Sequence, residues 1–143
     1  MPSLTPLLAN FGANELQLLS SYGDSRSYQA DDIVIRQGED NDILFLVLKG
    51  KLEVIQDDMN SKPVAVLEAG DSIGEVSVFD PGPASATVRA GTEAEVWLIT
   101  RDSMDRLHAA NPKVAYRLLS RIATCLSKRL REMNDKLFDY VNR

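Results

Sequence analysis

Between Arg26 and Thr100 no apolar run exceeds six residues, and each run is cut off by residues that favour turns. Ile33-Val34-Ile35 gives way to Gly38 and acidic residues, Ile43 to Leu48 stops at Lys49-Gly50, and Leu52-Glu53-Val54-Ile55 runs out at Asp57-Asp58-Met59-Asn60-Ser61. Val64-Ala65-Val66-Leu67 and Val96-Trp97-Leu98-Ile99 flank a turn-rich stretch from Gly70 to Ala90. Short runs rich in β-branched residues and spaced by turns build a β-barrel or sandwich. None of them approaches the roughly 20 apolar residues that a bilayer-spanning helix needs.

Outside this region the texture is helical. Thr5-Pro6 reads as an N-cap with proline at the first helical position, and Glu15-Leu16-Gln17-Leu18-Leu19 continues an amphipathic segment that Gly23 should stop. After Thr100, Met104 and Leu107 mark a short helix, and Asn111-Pro112 opens another that meets no Gly or Pro before Arg143. The 143 residues therefore divide into N-terminal helices (1–25), a β region (26–100) and C-terminal helices (101–143). With no flexible linker between them, they form one domain large enough to bury its own core.

The last helix carries two stripes. Leu119, Leu126, Met133 and Tyr140 at one heptad position and Tyr116, Ala123, Leu130 and Leu137 at the other make an uninterrupted apolar seam. Ala115, Leu118, Ile122 and Cys125 form a second face that can pack back on the β region. Little of a single domain is left to cover the seam beyond Leu126, so pairing as a homodimer is expected.

Charge is divided unevenly. Residues 1–112 hold 8 Lys/Arg against 18 Asp/Glu, whereas 113–143 hold 8 against 3. An acidic body repels nucleic acid, and the basic tail reads as the solvated face of its helix. Cys125 alone makes no intrachain disulfide and has no ligand-spaced partner for a metal, which fits the cytoplasm. The single histidine, His108, has no neighbouring motif to make it a base, and the pairs Asp31-Asp32 and Asp57-Asp58 sit at expected turns. No nucleophile elbow, Walker loop or metal spacing is present, so catalysis, metal binding and a resident cofactor are not expected.

The most informative stretch runs Gly70-Asp71-Ser72-Ile73-Gly74-Glu75-Val76-Ser77-Val78-Phe79-Asp80-Pro81-Gly82-Pro83-Ala84-Ser85-Ala86-Thr87-Val88-Arg89-Ala90. Glycines let backbone approach a ligand, and one helical turn from Glu75 onward would direct free N–H groups at an anion. Glu75 can accept from a sugar hydroxyl, while Ser85 offers a hydroxyl nearby. Each has a plainer reading: Gly74 as a turn, Glu75 as a cap of its own helix start, and Ser85 as an ordinary residue at the beginning of a strand.

The order of these parts, Gly-Glu, small or apolar residues, a Gly/Pro turn and Ser-Ala-Thr-Val, resembles the phosphate-binding cassette of cyclic nucleotide-binding domains. Tyr28 to Gly38, the hairpin Phe45 to Val54 and the strand Val96 to Thr100 extend the likeness from about Leu4 to Leu137. The resemblance implies a mainly β fold with flanking helices, an eight-stranded jelly-roll-like β-roll, with the cassette at 70–90 and the long helix serving as dimer interface and lid. It also implies a regulatory, non-catalytic module for cyclic AMP, cyclic GMP or a related anionic ligand. The ligand-binding residues would be Ile73, Gly74, Glu75, Val76, Ser77, Ala84, Ser85, Ala86 and Thr87, joined by Arg129 from the helix.

Two departures stand out against that family. Ligand-binding members carry an arginine before the small hydroxyl residue, whereas this chain has Ala84 in Pro83-Ala84-Ser85. Losing one partner of a buried charge-assisted contact costs about 2–5 kcal/mol, so the cyclic phosphate should be held weakly if at all. Cys125, Arg129 and Leu130 fall where the bacterial activators reach the base, and the adenine-recognising Thr-Ser pair is missing. Arg129 is left open between a base contact and a solvated helix flank. The family's transcription factors continue into a DNA-reading domain; none is expected if the sequence ending at Arg143 is the full protein, whereas a fragment could continue into any part the family attaches. A degenerate fold kept as a dimerisation or interaction scaffold is the competing expectation.

Overall fold

The computed structural model describes residues 6–8, 11–56 and 62–142. Thr5 and the turn expected at 57–61 lie outside that set. A 3-10 turn at Pro6–Leu8 precedes helix α1 (Ala13–Tyr22). Ten strands follow: β1 (Asp24–Tyr28), β2 (Ile33–Ile35), β3 (Asp40–Asn41), β4 (Ile43–Lys49), β5 (Leu52–Ile55), β6 (Pro63–Leu67), β7 (Ser72–Ile73), β8 (Gly82–Pro83), β9 (Thr87–Ala90) and β10 (Ala94–Thr100). Helices α2 (Arg101–Ala110) and α3 (Pro112–Val141) complete the chain. The mainly β architecture with flanking helices is as expected, although the described residues hold ten strands in place of eight. Three of these, β3, β7 and β8, are two-residue ladders.

All pairing is antiparallel, in sheets ordered β1-β10-β4-β7 and β2-β9-β5-β6 with the small pair β3-β8. The run Ile43 to Leu48 is apolar on both faces because β4 separates two cores. Leu44 and Leu46 join Trp97 and Ile99 of β10 in a cluster with the helices, whereas Phe45 and Val47 join Val96 and Leu98 inside the roll. The register makes this division consistent, pairing Trp97 with Leu46 and Leu98 with Phe45. Alternation of side chains across a strand thus assigns successive residues of one run to different cores.

Gly23 ends α1, though for a different reason than helix breaking. Its backbone is extended, a conformation open to any residue, but an added Cβ would lie 2.4 Å from the Trp97 ring and 2.5 Å from the Leu98 carbonyl oxygen. Strand β1 begins one residue later, so the helical segment is slightly shorter than expected. At the other end the Thr100 hydroxyl accepts from Ser103 N–H at 3.1 Å and the Asn111 side chain from Val114 N–H at 3.3 Å, capping α2 and α3. Helix α3 buries Val114, Ala115, Leu118 and Ile122, with Cys125 and Leu126 partly covered against the same cluster.

Candidate functional site

The cassette leaves β7 at Gly74, where two constraints coincide. Its φ is +90°, and a Cβ would stand 2.2 Å from the Ile43 carbonyl oxygen. Gly74 is therefore a position of close backbone approach as well as a turn. One helical turn follows, with Val78 N–H donating to the Gly74 carbonyl at 3.0 Å and Asp80 N–H to that of Val76 at 2.7 Å. Val78 is fully buried, and Phe79 packs against the helical core. Arg101 fastens the end of the turn by donating to the Phe79 carbonyl at 2.9 Å.

The chain then crosses to β8, which pairs Gly82 with Asn41 and Pro83 with Asp40. Ala84 is fixed on both sides, its N–H bonded to the Glu39 carbonyl and its carbonyl receiving Gly38 N–H, both at 2.9 Å. These contacts bring two stretches of the cassette to opposite walls of a pocket of about 200 Å³, lined by Ile73, Gly74, Glu75, Val76, Ser77, Ala84, Ser85 and Ala86. Ile35, Asn41, Val54 and Val88 complete the lining. The three aliphatic residues follow from strand alternation, but nothing in the sequence marks Asn41, whose side chain donates to the Ile43 carbonyl at 3.0 Å. Thr87 lies outside the lining; it is buried, and its hydroxyl accepts from Gln37 N–H at 3.0 Å.

Glu75 is the polar centre of the arrangement. Its side chain is 4% exposed, and its Oε1 receives the Ser72 hydroxyl at 2.6 Å and an Arg129 guanidinium nitrogen at 2.8 Å. The second terminal nitrogen of Arg129 donates to the Ser72 carbonyl at 2.8 Å. Pairing and hydrogen bonding together make this burial of charge tolerable. Arg129, left open in the sequence between a base contact and a solvated flank, pairs with Glu75 while its side chain stays 44% exposed, and it approaches from an adjoining hollow lined by Leu7, Gly70, Asp71, Cys125, Lys128 and Glu132 among others. The network joining Ser72, Glu75 and Arg129 had no signature in sequence, because its members are brought together only by the landing of α3.

Beyond this anchor α3 leaves the body. Of the seam residues, Tyr116, Ala123, Leu130, Met133, Leu137 and Tyr140 are exposed, as is Leu119, whereas Leu126 is half-buried against the core. Leu130 is 59%, Met133 66% and Leu137 62% exposed, so the chain's own domain does not cover the outer seam. No described helix is long and apolar enough to cross a membrane.

Comparison with known proteins agrees with this geometry. The family model described as cyclic nucleotide-binding domain matches residues 25–111. A cyclic AMP receptor protein of Thermus thermophilus is 30% identical over 135 residues, covering 93% of this chain and 61% of the relative. A cGMP-dependent protein kinase of Plasmodium berghei is 34% identical over 90 residues, 63% of this chain and 10% of the kinase. The chain thus spans less than two thirds of either. The crystal structure of a cyclic nucleotide-binding domain from Methylobacillus flagellatus superposes with a TM-score of 0.83 at 30% identity, covering 92% of this chain and 75% of that one.

Proposed function

The chain belongs to the cyclic nucleotide-binding domain family, and from that membership we propose that it is a non-catalytic regulatory module that senses a cyclic nucleotide or related ligand and acts as a cytoplasmic homodimer. The observation that carries the reading is the convergence of nine cassette residues on one pocket beside the buried carboxylate of Glu75. Both polar contacts of Glu75 fall on Oε1, leaving Oε2 for a ribose hydroxyl. The N–H groups of Val76 and Ser77 make no hydrogen bond among the described residues and suit a ligand oxygen. Ser77 and Ser85 add hydroxyls at the lining.

The cyclic phosphate itself is held weakly, because the lining has a methyl group at Ala84 where the family's ligand-binding members supply an arginine. Ala84→Arg tests this. Cyclic AMP affinity should rise at least about tenfold, the low end of what a buried charge-assisted contact is worth. Unchanged affinity in a variant that melts like the natural protein would refute it. The uncovered seam of α3 together with Ala84 favours a second reading, in which the fold serves as a dimerisation scaffold; a domain that binds nothing yet dimerises would establish that reading.

A further inference from the structure

A negative charge entering the pocket would find no cation in its lining. The twelve lining residues include no cation, and their single ionisable side chain is Glu75. The Glu75 charge is already matched by Arg129, whose second terminal nitrogen is committed to the Ser72 carbonyl. The nearby arginines are directed elsewhere. Arg36 pairs with Glu39 on the surface, and Arg89 pairs with Glu53 while alternating with the pocket-lining Val88, which sets it on the other face of its sheet.

The surroundings deepen the disadvantage for an anion. Glu39 supplies the carbonyl that holds Ala84, and Asp40 belongs to the strand paired with Pro83. Ala84 is pinned through both its N–H and its carbonyl, so a simple shift of this segment cannot bring a cation in. Ile35, Val54, Ala86 and Val88 add an aliphatic wall. A phosphate here would be desolvated with only N–H and hydroxyl partners, whereas a neutral sugar satisfies the same partners without carrying a charge inward.

We propose that the pocket selects an uncharged, diol-bearing ligand of the nucleoside class over the cyclic phosphate of the same nucleoside. The proposal rests on the reading of this pocket as a ligand site. The diol donates to Glu75, the ribose oxygens accept from the cassette N–H groups, and no cation is required at position 84.

The test is calorimetric titration of the full natural chain with adenosine, guanosine, cyclic AMP and cyclic GMP in one buffer. A nucleoside should bind at least about tenfold more tightly than its own cyclic phosphate. Its 2′,3′-dideoxy form should lose at least about tenfold, since both donors to Glu75 are gone. Ala84→Arg, checked for an unchanged melting curve, should shift the preference toward the cyclic phosphate; the comparison within the natural chain stands without it. Tighter binding of a cyclic nucleotide than of its nucleoside, or binding of no nucleoside by a chain whose Ala84→Arg variant takes cyclic AMP, overturns the selectivity while leaving the ligand site in place. No heat with any of the four, in the natural chain and the variant alike, overturns the ligand site and the selectivity together.

Discussion

Arg129→Met removes the cation that faces Glu75 while keeping an unbranched apolar stem beside Cys125 and Leu7. The cost follows from how far each partner is buried. Breaking a fully buried pair costs about 3–5 kcal/mol, and exposed pairs are worth about 0–1 kcal/mol. Here the Glu75 side chain is 4% exposed and that of Arg129 44%, which sets the pair between these limits. A loss of about 2 kcal/mol is expected, or about 4–8 °C in melting temperature for a domain of this size. Circular dichroism melts at neutral pH read it directly. Glu75→Gln alone should cost less, because the Ser72 and Arg129 donors keep an oxygen to bond, and the double variant should be less destabilised than the two single losses summed. Arg129→Met melting within about 1 °C of the natural protein would refute the claim that this pair anchors the helix.

Three further outcomes are expected. Light scattering should find the intact chain dimeric and a chain ending at Arg129 monomeric at the same micromolar concentration, since Leu130, Met133 and Leu137 are then lost; equal monomeric masses would exclude the seam as the interface. Gly74→Ala should lower stability by at least about 2 kcal/mol, because a side chain there meets both a left-handed backbone and the Ile43 carbonyl; an unchanged urea midpoint would contradict that. The Glu15 carboxyl is held below the usual carboxylate range by the Gly12 N–H first and by Arg117 next. Its stabilisation is therefore complete at neutral pH and lost as pH falls below about 4.5 through the lowered value. Glu15→Gln should accordingly melt lower than the natural protein at neutral pH and approach it as pH falls through the lowered value, and a gap that widens on acidification would reverse the assignment.

Much of the fold was legible because its signals are local. The run Ile43 to Leu48, the helix start at Asn111-Pro112 and the face Ala115, Leu118, Ile122 and Cys125 are each signals that a short segment carries by itself. The cassette was legible through the order of Gly74, Glu75 and Ser85, an order that means little in any one of them alone. Strands β3 and β8 were not legible: Asp40-Asn41 and Gly82-Pro83 have no preference for sheet, and they pair because the closed roll delivers them to each other. Gly23 was placed correctly at the end of α1 with the wrong cause, since the Trp97 ring that forbids a side chain is distant in sequence.

Arg129 shows why the remaining part of the site could not be read. Its heptad neighbours fix which side of α3 it occupies, but not where that side comes down on the roll. That is decided by Leu118 and Ile122 locking into the helical core, after which the next turns carry position 129 to Glu75. The consequence is functional as well as geometric. On the proposed reading, the carboxylate that receives a ligand diol also pairs with Arg129, just before the outer seam at Leu130, so ligand and helix draw on the two oxygens of one side chain. On that reading a ligand held through Oε2 alone leaves Arg129 on Oε1, whereas one that takes both oxygens competes with the Arg129 contact while Leu118 and Ile122 still hold α3 in the core.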